Sequence, residues 1–285
     1  MEGKAVDISV ISLGEDKLMR LIFGFGAVLA ISSTLASAGV PEGIALLDAG
    51  DVQSAVKEFQ TSYDAGEADG AFYIGRLFEL GIGTDADIAR AAQLYGASAA
   101  AGSALAQNRL GLMYLNGEGV LQDFDLAVEL ICAAADQGDA NGLFNCGLMY
   151  STGQGVVQDA RKAVALWQSA SDQGHVAATN FLAAAYRDGE GVEVDAAKAF
   201  AEFSKTGNAG NPLGLFEIAK AYETGTGVEP NLIQAHVHAN LAAVRGLPDA
   251  AQMRDRLTTA LPDADVLAAQ KLAREWVATP PDTAQ

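Results

Sequence analysis

Two cysteines, two tryptophans and three histidines in 285 residues leave little material for several classes of protein. Two cysteines are too few for a scaffold built from disulfides, and neither has a nearby histidine or base to lower its pKa as a nucleophile. His236 and His238 are two apart on a helical pattern, so their side chains diverge and do not form an i, i+4 metal pair. His175 falls at a turn. Basic residues are scarce as well: 18 Lys and Arg stand against 36 Asp and Glu, a net charge of −18, and no basic cluster occurs. That balance excludes a nucleic-acid footprint and is repelled by an anionic membrane surface. It fits solubility or a partner with a basic segment. No catalytic constellation, metal site or cofactor motif is found. A Ser-x-x-Lys in a suitable context is missing too, so a hydrolase is the least supported function.

Long apolar runs are also absent. The stretch from Leu21 to Ile31 is shorter than the roughly 20 residues of a membrane span and follows Lys17 and Arg20. Ser32-Ser33-Thr34-Leu35 and the small-x-small triplet Ala36-Ser37-Ala38 come next. This is the layout of a signal peptide over residues 1–38, cleaved after Ala38; the alternative is an uncleaved N-terminal anchor. Translation from Met1 and from Met19 both give such a segment. The expected location is periplasmic or secreted, with no membrane span after cleavage. Residues 1–38 hold three bases and four acids, so the remainder still carries −17.

Repetition takes the place of these missing features. Phe78, Tyr114, Tyr150, Tyr186 and Tyr222 recur every 36 residues, each followed by a Gly-x-Gly pair from Gly81/Gly83 to Gly225/Gly227. A fixed period of this size signals a solenoid whose units bury their faces against neighbours. In the unit from Gly102 to Gly138, a first helix over Ala104 to Leu115 places Leu110, Gly111 and Tyr114 on one face. Gly111, like Gly75 and Gly147, lets the second helix approach closely, whereas Ala183 and Ala219 occupy that column later. Asn116-Gly117 closes the first helix. The column Asp87, Asp123, Asp159, Asp195, Asn231 supplies N-caps for the second, in preference to metal ligands. That helix buries Ala91, Ala127, Ala163, Ala199 and Ala235, and four residues on comes Tyr95, Ile131, Trp167 or Phe203, with Ala239 as the exception. The Gly-x-Gly pairs follow helices rather than strands and are not phosphate loops.

The expected fold is all-α: a right-handed α-solenoid of about five 36-residue helix-turn-helix repeats with helical caps. Residues 39–66 form an N-terminal cap turning at Gly50-Asp51, with Ala55, Val56 and Phe59 on one face. Residues 67–246 hold the repeats and 247–278 a C-terminal cap, with helices over Ala251 to Leu261 and Ala264 to Val277. Leu267, Leu272 and Trp276 are expected to close the last core, and 279–285 to form a disordered tail. Cys146 shares a buried column with Ile74, Leu110, Leu182 and Ile218; Cys132 shares a solvent-facing one with Gly96 and Gln168. This favours one buried and one exposed thiol over a disulfide, although the two flank one turn.

The pattern Leu-Gly-x-x-Tyr, Gly-x-Gly-Val-x-x-Asp, Ala-x-x-x-Trp and Ala-Ala-x-x-Gly resembles the Sel1-like repeat, a relative of the tetratricopeptide repeat. Five units match, best in the second and third; the first has Thr84 in place of valine. The resemblance implies a non-enzymatic interaction scaffold, here a monomer binding a peptide or domain of an envelope protein through a concave surface of first helices. Some exported relatives regulate membrane sensors, holding the sensor domain of a histidine kinase inactive. The alternative is an accessory scaffold of cell-wall or exopolysaccharide machinery that binds glycan. Related repeats use a first-helix asparagine as a peptide clamp, and the column Phe72, Asn108, Phe144, Asn180, Phe216 resembles that arrangement. Its neighbours Arg76, Leu112, Leu148 and Lys220, with Asn116, complete the candidate groove; the competing reading packs the phenylalanines between units.

Overall fold

The computed structural model describes residues 39–279. The expected signal peptide, its cleavage site and positions 280–285 of the tail lie outside the described residues. Thr279, assigned to that tail, donates its N–H to the Asn208 carbonyl at 2.8 Å. Among the described residues there are fourteen helices and no strand, and no helix is long and apolar enough to cross a membrane. The chain divides after Gln137 into two compact units.

The first unit contains three helical hairpins: α1 (Val40–Asp48) with α2 (Val52–Asp64), α3 (Asp69–Leu80) with α4 (Ile88–Ala100), and α5 (Ala104–Asn116) with α6 (Phe124–Asp136). The second contains three, α7 (Ala140–Thr152) with α8 (Ala160–Asp172), α9 (Val176–Asp188) with α10 (Ala196–Asn208) and α11 (Pro212–Thr224) with α12 (Leu232–Val244), followed by α13 (Pro248–Ala260) and α14 (Asp263–Glu275), which both pack on α12. Helix α13 starts three residues before the expected Ala251, because Pro248 occupies the first helical turn, where its missing N–H costs nothing.

Each repeat hairpin is set by the same few residues. Gly117 takes a left-handed conformation (φ 70°) at the end of α5 and donates its N–H to Met113, a geometry that glycine accepts without strain. The Asp123 N–H then bonds back to the Tyr114 carbonyl at 3.0 Å, and its carboxylate accepts the Leu126 N–H at 3.0 Å. Asp87, Asp159, Asp195 and Asn231 cap their own helices in the same way. Between the helices, a β-carbon on Gly111 would lie 2.5 Å from Ile131 Cγ1, and one on Gly147 2.5 Å from Trp167 Nε1. The bulky second-helix residue thus fills the space that glycine vacates.

Two expectations are corrected. Leu267 and Leu272 are 65% and 41% exposed, while Val266 and Ala269 are buried and Ala273 and Trp276 pack on the last core. The i, i+3, i+7, i+10 stripe from Val266 faces α12, and both leucines fall off it. Cys132 and Cys146 are both disulfide-bonded, and neither is a free thiol. Column periodicity assigns each cysteine to a face of its own helix; it carries no measure of the distance between faces.

Candidate functional site

In the first unit, Phe72 and Arg76 lie one turn apart on α3, and Asn108, Leu112 and Asn116 follow at the same spacing on α5, so each set shares a face. Asn108 and Leu112 are half-buried; Asn116 is exposed. Phe72 is half-buried in an aromatic cluster, with ring centroids 5.2 Å from Tyr73 and 5.5 Å from Tyr95. Arg76 pairs with Glu79 at 3.0 Å. Glu79 also receives Arg109 through two bonds, 3.1 and 2.7 Å, and the Tyr95 hydroxyl; Arg109 reaches Glu118 at 3.2 Å. Burial pushes the Glu79 carboxyl up, but the hydrogen bonds from Tyr95 and Arg109 outweigh it and hold its pKa below the ordinary value. The cations of this face are therefore committed to internal carboxylates.

The second unit treats its candidates differently. Asn180 is buried, 7% exposed. Its carbonyl oxygen accepts the Thr206 hydroxyl at 2.7 Å, and its amide donates to Asn211 Oδ1 at 3.2 Å. It is a satisfied internal amide, not a groove clamp: reading one helix at a time could not show that α10 covers it. Phe144 stacks on His175 at 4.8 Å and meets Phe181 edge-on at 5.4 Å, so its ring serves packing between hairpins. Leu148 is half-buried.

Phe216 and Lys220, on α11, border open space. They line a cleft of about 440 Å³ together with Glu223 and, from α13, Asp249, Gln252, Met253 and Arg256. Phe216 and the buried Met253 supply its apolar floor. Lys220 lies 5.5 Å over the Phe216 ring and is bonded to both Glu217 oxygens at 2.9 Å. Arg256 is paired with Glu223 at 2.5 and 3.1 Å. Glu217 is additionally met by Arg187 at 3.1 Å. The charges of the lining residues balance, Lys220 and Arg256 against Glu223 and Asp249, and of these Asp249 has no ion pair among the described residues. The α13 residues were invisible to column reasoning because that helix lies outside the repeat, and only tertiary packing brings it beside α11.

A second concavity, about 510 Å³, belongs to the first unit and is bordered by Val40, Glu67, Asp69, Ser103 and Gln137. The Ser103 hydroxyl donates to Asp69 at 2.5 Å.

Comparison with known proteins agrees with the repeat count. The Sel1 repeat family profile matches five consecutive stretches, residues 68–103, 104–139, 140–175, 176–211 and 212–246. A Sel1 repeat protein from Oxalobacter formigenes is similar at 28% identity and a TM-score of 0.70, over 83% of this chain and 99% of that one. A protective antigen of uropathogenic Escherichia coli with an SLR fold is similar at 28% identity and a TM-score of 0.68, over 78% of this chain and 48% of that one. The chain thus spans about half the length of the latter relative. No curated protein matches the chain.

Proposed function

The chain belongs to the Sel1 repeat family, and on that premise we propose that it is an exported, non-enzymatic scaffold that grips a basic segment of an envelope protein. Sel1 repeat proteins are generally protein–protein interaction scaffolds, typically without catalysis. What carries the finer reading is the α11–α13 cleft, whose apolar floor is rimmed by two cations already paired to carboxylates and by Asp249, which has no ion pair among the described residues. A lysine or arginine of a partner fits such a site: its methylene stem packs on Phe216 and Met253 while its head group stays near carboxylate. The overall charge of −18 favours the same partner by steering. Export is supported by the signal-like segment and by two oxidised cysteines, which persist in oxidising compartments.

A photo-crosslinker at the exposed Gln252, in full-length protein expressed in a bacterial envelope, tests both parts. The expected adducts are segments rich in Lys or Arg, recovered from the periplasmic fraction, with yields cut about tenfold by Asp249→Lys or by added polylysine. Adducts that are acidic, or that persist unchanged in Asp249→Lys, would overturn the partner assignment. Cytoplasmic retention of the protein would overturn export.

A further inference from the structure

The four cap positions that begin α5, α7, α9 and α11 are Ser103, Asp139, His175 and Asn211, and each accepts an N–H of its own helix. Glu67 occupies the same column one repeat earlier, yet α3 has no side-chain cap. Its carboxylate is turned instead onto the start of α1, 27 residues away, where Oε2 accepts the Val40 N–H at 3.5 Å. It also lies over Gly39, so that a β-carbon there would be 2.8 Å from Oε2 and 3.1 Å from Oε1. Gly39 itself is held, its carbonyl accepting the N–H groups of Glu42 and Gly43 at 3.0 and 3.3 Å.

Standard covalent geometry then puts the Gly39 nitrogen within about 5 Å of that carboxylate. As an amide in the uncleaved chain, this nitrogen is neutral. Resting on the export reading above, we propose that cleavage of the Ala38–Gly39 bond creates an α-ammonium for which Glu67 is the built-in receptor, locking the N-terminal hairpin of the processed protein. A signal peptidase adds water across the amide, leaving a carboxylate on Ala38 and an ammonium on Gly39. An ammonium at a helix N-terminus opposes the helix dipole; a carboxylate at this range reverses the sign and favours the charged form. Asp69, on the rim of the same concavity, adds negative charge, and the other polar groups there, Ser103 and Gln137, are uncharged.

Intact mass of the protein recovered from the envelope of an expressing host reports the processing site, with Gly39 expected as the first residue; any other first residue would overturn the processing step. Melting of four purified forms reports the pairing: chains beginning at Gly39 and at Ala38, each with and without Glu67→Gln. In the Gly39-first chain, Glu67→Gln is expected to lower Tm by about 2–4 °C, and in the Ala38-first chain by much less. The paired group's pKa is raised above its usual value of about 8, so the difference is full at neutral pH and disappears as pH rises through the raised value. An equal loss in both chains, or none in either, would overturn the pairing while leaving the processing result intact.

Discussion

His175 shows how much one side chain can do without any catalytic part. Its Nδ1 accepts the Ala178 N–H at 3.1 Å, which requires that nitrogen to be unprotonated. Burial lowers its pKa, against smaller opposing effects from its own backbone and from Asp139. The unfolded chain therefore takes the proton first, so stability contributed by His175 is complete above about pH 6.5 and lost as pH falls towards the folded value. His175→Asn, the residue that caps α11, is expected to keep the cap and reduce the loss of urea midpoint between pH 7.5 and 5.5. An unchanged pH profile in the variant would refute this role. Gly147 carries the opposite constraint. Adding a methyl there drives it into Trp167, and Gly147→Ala is expected to cost about 1–3 kcal/mol in chemical denaturation. The glycine column was legible because its reason is periodic; the cap at His175 was not, because histidine is an unusual cap and reads only as a turn residue.

Helices are the scale at which the repeat pattern speaks most clearly. Asp123 caps α6 and is itself tied to Tyr114, so Asp123→Ala should destabilise by about 1 kcal/mol while Asp123→Asn stays near neutral. Equal thermal shifts in the two variants would contradict the capping assignment. A second regularity joins the helices of a hairpin. Arg90 lies over the Phe78 ring at 4.8 Å, Lys162 over Tyr150 at 4.1 Å and Lys198 over Tyr186 at 5.2 Å. In these three repeats the third residue of the second helix covers the aromatic that marks the period; Leu126 and Gln234 hold that position in the other two. Arg109 and Glu79, 30 residues apart, could not be matched from spacing, because their meeting depends on how α5 lies beside α3. The phenylalanine–asparagine column failed for the same reason. Its alternation invited one shared role, yet the structure gives Phe144 and Asn180 to packing and leaves Phe216 beside the cleft.

At the scale of the molecule, acid sensitivity should exceed the effect of His175. His236 and His238 are buried, and desolvation lowers the pKa of each; the Arg254 charge adds to the shift at His236. Stability should therefore be level above about pH 6.5 and decline below it, then fall further as the carboxylates held below their ordinary pKa, such as Glu79 and Asp188, are protonated. Unfolding midpoints measured from pH 8 to 2 check the order of these two losses. Thiol titration in denaturant should find no free sulfhydryl before reduction and two after.

Sequence alone determined the helical hairpins, their turns, their caps and the small-for-large exchange between paired helices. Each of these is a local steric or hydrogen-bonding requirement, met anew every 36 residues. Tertiary structure alone decided which polar side chains stay open. It buried Asn180 under α10, matched Lys220 and Arg256 to carboxylates, brought α13 beside α11 and turned Glu67 towards Gly39. Those outcomes depend on the distance between helices, and a period along the chain carries no information about distance across it.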